Sequence, residues 1–223
     1  MKLPYVRSKA RWAAASMTFK TFLVSLTLAV ASTASAQVLD KPTFKVGDRW
    51  KWSIFDSRTK QPEFEGTVDV VVAKIGDIVE LSAPGSTDIV ETWDLDGRML
   101  TRGRIVKRVF DSPIPWPLQV GKKYVTKFSW VNMQGDKGTA HSKTEVVGFE
   151  EVVVPAGKFM AAKLVIANSA ESRSLTNAGG QPASWSERVV WWRAVGTGAT
   201  VRWTYNAGPY SVVMELVEHS STR

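Results

Sequence analysis

Apolar and polar residues alternate along most of the chain after residue 37, and this period of two predicts β-strands. Trp50, Trp52 and Ile54 fall on one side of such a strand, while charged or small residues separate them. No long segment has a period of 3.6 residues. The pattern predicts strands at Arg49–Phe55, Glu65–Lys74, Ile78–Ala83, Ile89–Leu95, Arg98–Val109, Lys123–Val131, His141–Val154, Phe159–Ser169, Trp185–Ala194, Ala199–Tyr205 and Tyr210–Val217.

Turn residues separate these strands and set their order. Asp96-Gly97 between two strand-like runs predicts a tight hairpin. Three prolines in Asp111–Pro117 fix an extended path, which predicts a crossover between two halves. The polar stretch Asn168–Ala183 predicts a long loop. The fold class is therefore all-β: one strongly curved antiparallel sheet, or half-barrel, of about ten or eleven strands.

The two predicted halves begin with related sequences. Phe44–Trp52 and Leu118–Thr126 share an apolar residue, a Val-Gly pair, two polar residues and then an aromatic residue in a strand. One short match is the kind of trace that an internal repeat leaves. It predicts two β-meanders side by side.

The first 36 residues have the pattern of a secretory signal peptide. Five basic residues precede the apolar run Thr21–Ala31, and Ala34-Ser35-Ala36 has the small residues that a signal peptidase prefers. Met17 opens a shorter version of the same pattern and is an alternative start. We expect cleavage before Gln37, which leaves residues 37–223 as a single β domain without a membrane anchor. The expected location is the periplasm or the exterior.

Charge and cysteine content narrow the functions of this domain. The leader contains five basic residues and no acidic ones, so its cleavage lowers the net charge from +8 to +3. A surface of nearly balanced charge argues against a nucleic-acid partner. The chain has no cysteine, which excludes a disulfide framework and offers no thiol for lipid attachment. A soluble exported domain held by burial alone is expected.

Reactive side chains are scarce, and we predict no catalytic residue, metal site or cofactor. His141 and His219 are the only histidines, and neither stands in a nucleophile motif. Asp94–Gly97 resembles the start of a calcium loop, but the position twelve from Asp94 is Ile105 instead of glutamate. A hairpin turn explains that stretch better. For an enzyme acting on glycans, Glu91 and Asp94 would be the first carboxylates to test.

Tryptophan is the residue in excess, with nine copies after residue 36. In a β domain without disulfides most of them are expected in the core, although tryptophan also lines pockets for sugars and lipids. Trp191 and Trp192 must point to opposite faces of one strand, so both faces are covered there or one binds a ligand. Trp116 lies between two prolines, where a core role is less natural. The predicted ligand-binding residues are Trp116, Trp130, Trp191, Trp192 and Trp203.

Residues Gly148–Lys163 (GFEEVVVPAGKFMAAK) resemble a pattern from a family of uncharacterised exported β-proteins of the bacterial periplasm. That pattern is roughly Gly-x-Glu-x-Val-x-Val-Pro-Ala-Gly-x-Phe-x-Ala-x-Lys. The resemblance continues in Val46–Trp50, Pro117–Lys122 and Val190–Arg202. It implies an exported β fold and no activity. The expected architecture is also similar to the half-barrels that carry lipoproteins and lipids.

These observations rank three functions. The first is a non-enzymatic periplasmic binding or carrier protein for an apolar or amphiphilic ligand, such as a lipid. The second is a structural or assembly factor that binds another cell-envelope protein, for example through an unpaired strand edge. The third is a glycan-acting enzyme.

Overall fold

The computed structural model describes residues 37–102, 105–176, 182–207 and 210–222. The predicted signal peptide, with both of its possible starts, lies outside these residues. Within them we find no helix with the length and apolar character needed to cross a membrane. The structure that they form is built from β-strands and turns.

The described residues form fourteen strands in one compact unit. Twelve of them make the main sheet, and β1 and β8 pair with each other in a separate two-stranded ribbon. The strands are β1 (Val38–Leu39), β2 (Arg49–Asp56), β3 (Pro62–Ile75), β4 (Ile78–Ser82), β5 (Ile89–Asp94), β6 (Met99–Arg102), β7 (Ile105–Phe110), β8 (Leu118–Gln119), β9 (Lys123–Asn132), β10 (Lys137–Val154), β11 (Gly157–Thr176), β12 (Pro182–Ala194), β13 (Thr200–Ala207) and β14 (Tyr210–Ser220).

Antiparallel pairing takes the main sheet round a ring. The order is β10-β11-β12-β13-β14-β2-β3-β4-β5-β6-β7-β9, and β9 returns to β10. A single register pair, Arg102 with Ile105, joins β6 to β7 and makes this the weakest seam among the described strands. The predicted fold class, one strongly curved antiparallel sheet in an all-β chain, is confirmed. The pairing of β9 with β10 closes this curved sheet into a ring.

The ring consists of two successive runs of six strands, β2–β7 and β9–β14, and both runs begin with the same turn. In Lys45–Asp48 and in Gln119–Lys122 the last residue donates its backbone N–H to the carbonyl of the first, at 3.0 Å in both. The glycine N–H of each turn donates to a valine carbonyl, of Val72 at 2.9 Å and of Val146 at 2.8 Å. Each valine N–H donates back to the turn. The short sequence match therefore corresponds to a shared local structure.

The inner face of the ring is the face that carries Trp50 and Trp52, and the main core lies against it. A second cluster fills one end, which we call the ribbon end because side chains of β1 and β8 take part in it. Leu39 and Leu118 are fully buried there, and each such burial is worth about 1.5–3 kcal/mol. We call the opposite end, where the β9–β10 loop lies, the distal end.

Two predicted boundaries are wrong, both because pairing overrides local composition. The predicted strand Arg98–Val109 is divided into β6 and β7. The predicted loop Asn168–Ala183 is largely strand, since β11 runs to Thr176 and β12 starts at Pro182. Polar side chains alternate on both faces of this stretch, and register with β10 and β12 holds it extended as far as Ser172. Such a strand has no apolar face for a sequence pattern to reveal.

Candidate functional site

The five predicted ligand-binding tryptophans occupy three environments. Trp130, Trp191 and Trp203 lie on the inner face, where Trp191 and Trp203 are register partners. Trp116 reaches the ribbon-end cluster from the connector between β7 and β8. Trp192 points to the outer face, opposite to Trp191, but it is buried and belongs to the main core cluster. The structure therefore brings three of them to one surface and separates the other two.

Trp192 is covered by charged side chains and is only 9% exposed. Its indole N–H donates to Glu150 Oε1 at 2.5 Å. Lys163 Nζ lies 5.2 Å and Arg202 Cζ 5.9 Å from the ring centroid. The indole hydrogen bond, followed by Lys163, holds the pKa of Glu150 below its ordinary value. Both faces of β12 are therefore covered at the Trp191-Trp192 pair, one of the two outcomes that the alternation predicts.

Trp116 is anchored to the ribbon end by Asp96. The Asp96 carboxylate is nearly buried, and it accepts the Trp116 indole N–H at 3.0 Å and the Ile114 backbone N–H at 2.8 Å. The buried guanidinium of Arg193 lies 5.5 Å from the Trp116 ring centroid. A core role is less natural for a residue between two prolines, yet Asp96 holds the Trp116 ring against the second cluster.

Trp130 and Trp185 pack together at the distal end, with ring centroids 6.0 Å apart at 56°. We call them the distal pair. Trp185 is 38% exposed, whereas Trp130 is half-buried. A Cβ on Gly138 would lie 2.4 Å from the Trp130 ring, so only glycine lets that ring lie flat on β10. The distal pair forms an apolar lip that is partly open to solvent.

Charged residues follow the distal pair on the inner face. Along β12 the inward positions run Trp185, Glu187, Val189 and Trp191 from the distal end, so a carboxylate lies between aromatic residues. Other polar residues lie on the inner face of β5, β6, β7, β11 and β13. We call this set the inner belt: Glu91, Arg102, Arg108, Asn168, Glu187 and Tyr205.

One side of the inner belt centres on Glu91, which is 4% exposed. Its carboxylate accepts the indole N–H of Trp93, and Arg102 Nε lies 3.6 Å from the other oxygen. A buried carboxylate needs such donors, since its desolvation is otherwise costly. Glu91 is thus already neutralised within the ring.

The other side centres on Glu187. Its Oε1 accepts a hydrogen bond from Asn168 Nδ2 at 2.7 Å, and Asn168 Oδ1 accepts one from Ser142 Oγ at 2.6 Å. Tyr205 stacks on Trp203 at 5.7 Å and also faces Glu187. Burial and the neighbouring carboxylate raise the pKa of Tyr205 to about 12. Neutral donors thus satisfy Glu187.

Arg108 differs from its neighbours because its Nε is buried and no described residue accepts the Nε hydrogen. Its guanidinium lies 5.5 Å from the Phe128 ring centroid. Burial lowers the pKa of Arg108, and attraction to Glu187 and Glu91 counteracts part of that shift. An arginine nevertheless stays protonated in proteins. The inner belt therefore holds a cation with an N–H donor to spare.

The raised pKa of Tyr205 gives a prediction about alkaline pH. The folded state holds the phenolic proton more tightly than the unfolded chain, so this contribution to stability is complete below pH 10 and is lost as the pH rises to about 12. We expect Tyr205→Phe to reduce the alkaline loss of unfolding free energy and to remove one late tyrosinate from the ultraviolet pH titration. Tyr210→Phe, at an exposed position, is the control. Equal alkaline losses in both variants and the wild type would contradict the assignment.

Two hollows open at the surface of the described residues. One, of about 350 Å³, lies on β10–β12 and is lined by Thr139, His141, Ser169, Glu171, Ser184, Ser186 and parts of Ala170 and Trp185. The other, of about 380 Å³, lies beside the β2–β3 hairpin. Outward side chains of β10–β12 line most of the first hollow, whereas three consecutive residues of β2, Ser53, Ile54 and Phe55, line part of the second. No residue of the inner belt lines either of these two hollows.

The geometry does not join the carboxylates considered for glycan chemistry. Glu91 and Asp94 are three residues apart on β5, and Asp94 accepts the Arg98 Nε hydrogen at 2.6 Å at the hairpin turn. Residues at odd spacing on a strand point to opposite faces. Acid–base hydrolysis of a glycan requires two carboxylates that flank one bond. Asp94 instead shapes the predicted Asp96-Gly97 hairpin, accepting the backbone N–H of Arg98 at 2.8 Å.

Of the inner belt, sequence reasoning singled out Glu91 alone, although Glu187 also left a trace. Glu187 has the same parity as Trp185, Val189 and Trp191, so an inward strand face contains one isolated carboxylate. A charge at an otherwise apolar inward position is expensive unless it has partners, and such positions are often functional. Arg108 left no equivalent trace because its segment was assigned to one long strand.

Comparison with solved structures agrees with the fold. A candidate lipoprotein of Parabacteroides distasonis matches with a TM-score of 0.50 at 12% identity, over 82% of this chain and 99% of its own. A candidate exported protein of Bacteroides fragilis with a YmcC-like fold also gives 0.50 at 12% identity, over 83% and 100%. The hypothetical lipoprotein YmcC of Escherichia coli gives 0.46 at 13%, over 79% and 86%.

At these identities the first two likenesses establish the fold alone. No family model and no curated protein matches the chain.

Proposed function

We propose that the protein is exported to the cell envelope and works in the periplasm as a non-enzymatic binding protein for an amphiphilic ligand. The observation that carries this is the order of residues on the inner face. An exposed aromatic lip, the distal pair, lies directly beside the charged inner belt. An apolar chain would pack on the lip while a polar head reaches the belt.

The location is supported by two independent features. The leader has the composition of a secretory signal, and the solved structures of similar fold are named as exported proteins or lipoproteins. Non-enzymatic action is supported by the separation of Glu91 from Asp94 and by the engagement of Glu91 and Glu187 with neighbouring donors. Such carboxylates stabilise a structure more readily than they exchange protons with a substrate.

Ligand entry requires the distal pair to separate. No belt residue lines either of the two hollows, and the rings of Trp130 and Trp185 are in contact at the distal end of the inner face. A contact between two aromatic rings is worth about 0.5–1.5 kcal/mol beyond burial, which an incoming alkyl chain would replace. Tryptophan emission should therefore respond when a ligand binds.

The first experiment is native mass spectrometry of the protein recovered from the periplasm, followed by organic extraction of any bound molecule. We expect a polypeptide that starts at Gln37 and carries a stoichiometric amphiphile. Trp185→Ala should weaken its binding about tenfold through the lost aromatic contact. Trp192→Phe, which changes a ring on the outer face, should bind as the wild type does.

An apo mass, together with unchanged tryptophan fluorescence on adding lipids, would overturn the binding proposal. A second candidate would then lead, since one feature favours an assembly factor. β10 has no register partner on β9 beyond Glu145, and Val146 is still bonded to the turn at Gly121 and Lys122. On the stretch that follows, Val147 and Val153 are 42% and 57% exposed, although the Val153 carbonyl accepts a hydrogen bond from Arg202. An exposed strand edge of that kind can accept a strand from another envelope protein.

A further inference from the structure

Three buried side-chain nitrogens have no hydrogen-bond acceptor among the described residues: Trp50 Nε1, Arg108 Nε and Trp191 Nε1. All three belong to side chains on the inner face, and all three are donors. Buried polar groups in native proteins are almost always paired, so such exceptions indicate a missing water, ion or ligand. The missing partners must be acceptors.

Arg108 sets the strongest requirement of the three because it is charged. Arg108 is half-buried, and a cation whose Nε is removed from water is stabilised best by an anion that hydrogen-bonds to it. The two nearby carboxylates are directed elsewhere, since Glu91 receives Trp93 and Arg102, and Glu187 receives Asn168. Neither accepts the Nε hydrogen of Arg108.

Aromatic rings of β9 flank Arg108. Its register partner on β9 is Trp130, which packs against Trp185, while Phe128 lies against the guanidinium. An anion held here would therefore have apolar rings beside it. A free inorganic anion would gain nothing from those rings, whereas an alkyl chain attached to the acid would bury apolar area at about 25 cal/mol per Å².

Resting on the proposed function, we infer that the ligand is an acidic amphiphile whose carboxylate or phosphate oxygens accept the Arg108 N–H. The alkyl chain leaves the belt past Trp130 and Trp185. The uncharged analogue of the same chain would bury the same apolar area but leave the cation unpaired. Head-group charge, rather than chain length alone, therefore determines affinity.

The test compares the binding of dodecanoate, dodecyl phosphate and dodecanol. Binding is measured by tryptophan fluorescence and calorimetry, at concentrations below those at which micelles form. We expect the wild type to bind the acids about tenfold to a hundredfold more tightly than dodecanol. Arg108→Met should remove that preference by weakening the acids while leaving dodecanol unchanged. Arg108→Lys, which keeps the charge, should retain part of it. Urea unfolding of each variant separates lost binding from lost folding.

The possible outcomes distinguish this inference from the proposal beneath it. Equal binding of dodecanol and dodecanoate, or equal weakening of both by Arg108→Met, would overturn the acidic head group while leaving an amphiphile carrier intact. Binding of acetate or inorganic phosphate alone, with no gain from the alkyl chain, would overturn the amphiphile and indicate a free anion. If none of the probes binds, the proposed function itself fails.

Discussion

Replacing Asp96 with alanine should lower the free energy of unfolding by about 3–5 kcal/mol. The carboxylate is buried and holds together parts of the chain that are distant in sequence. It accepts the backbone N–H of Ile114 and the indole N–H of Trp116, and it faces Lys41 at 3.2 Å and Arg98 at 3.5 Å. Its loss would leave buried donors without acceptors and release the connector from the ribbon end.

Equilibrium unfolding in urea, followed by circular dichroism, measures this loss. Lys41→Ala is the matched control because it removes one exposed partner of the same carboxylate, for a cost of about 0–1 kcal/mol. Equal midpoints for Asp96→Ala and Lys41→Ala would contradict the role of Asp96 as a clamp.

The same carboxylate should make stability depend on acid pH. Burial alone would raise the pKa of Asp96, but the donors from Ile114, Lys41 and Trp116 outweigh it and the pKa lies below the ordinary value. This contribution is therefore present above the unfolded pKa and is lost as the pH falls through the folded one. Asp96→Asn, which cannot ionise, should lose that part of the acid dependence.

Much of the fold follows from the period of two in the sequence, as β2 shows. Trp50, Trp52 and Ile54 were expected on one side, and they are all buried on the inner face. Ring closure could not be predicted in the same way, because it depends on pairing between β14 and β2, which are far apart in the chain. The matching turns at Gly47 and Gly121 were the only local trace of the two halves.

The candidate site was less accessible to sequence reasoning than the fold. Alternation correctly placed Trp191 and Trp192 on opposite faces, but it could not say which face lies inside the ring. The prolines around Trp116 make a core role less natural in the sequence, whereas Asp96, twenty residues earlier, turns that side chain inward. Arg108 was hidden because the unpaired state of its Nε is a property of the folded surroundings alone.

Replacing Trp52 with alanine should also cost about 3–5 kcal/mol of unfolding free energy. Trp52 is 4% exposed, stacks on Trp50 at 6.4 Å and donates its indole N–H to the carbonyl of Thr200 at 2.8 Å. Trp52→Phe keeps most of the ring but leaves that carbonyl without its donor. It should therefore cost less, about 1–3 kcal/mol, in the same urea measurement.

Trp185→Ala is the informative comparison for Trp52→Ala. Loss of a core tryptophan should lower the free energy of unfolding, whereas loss of a tryptophan of the distal pair should weaken ligand binding. At 38% exposure, Trp185 should contribute at most about 1 kcal/mol to stability. Trp185→Ala should instead weaken ligand binding, while the main effect of Trp52→Ala should be a lower free energy of unfolding. If Trp185→Ala destabilises the protein as strongly as Trp52→Ala does, the distal pair is part of the core. The inner belt would then have no entrance at that end, and the amphiphile proposal would lose the observation on which it depends.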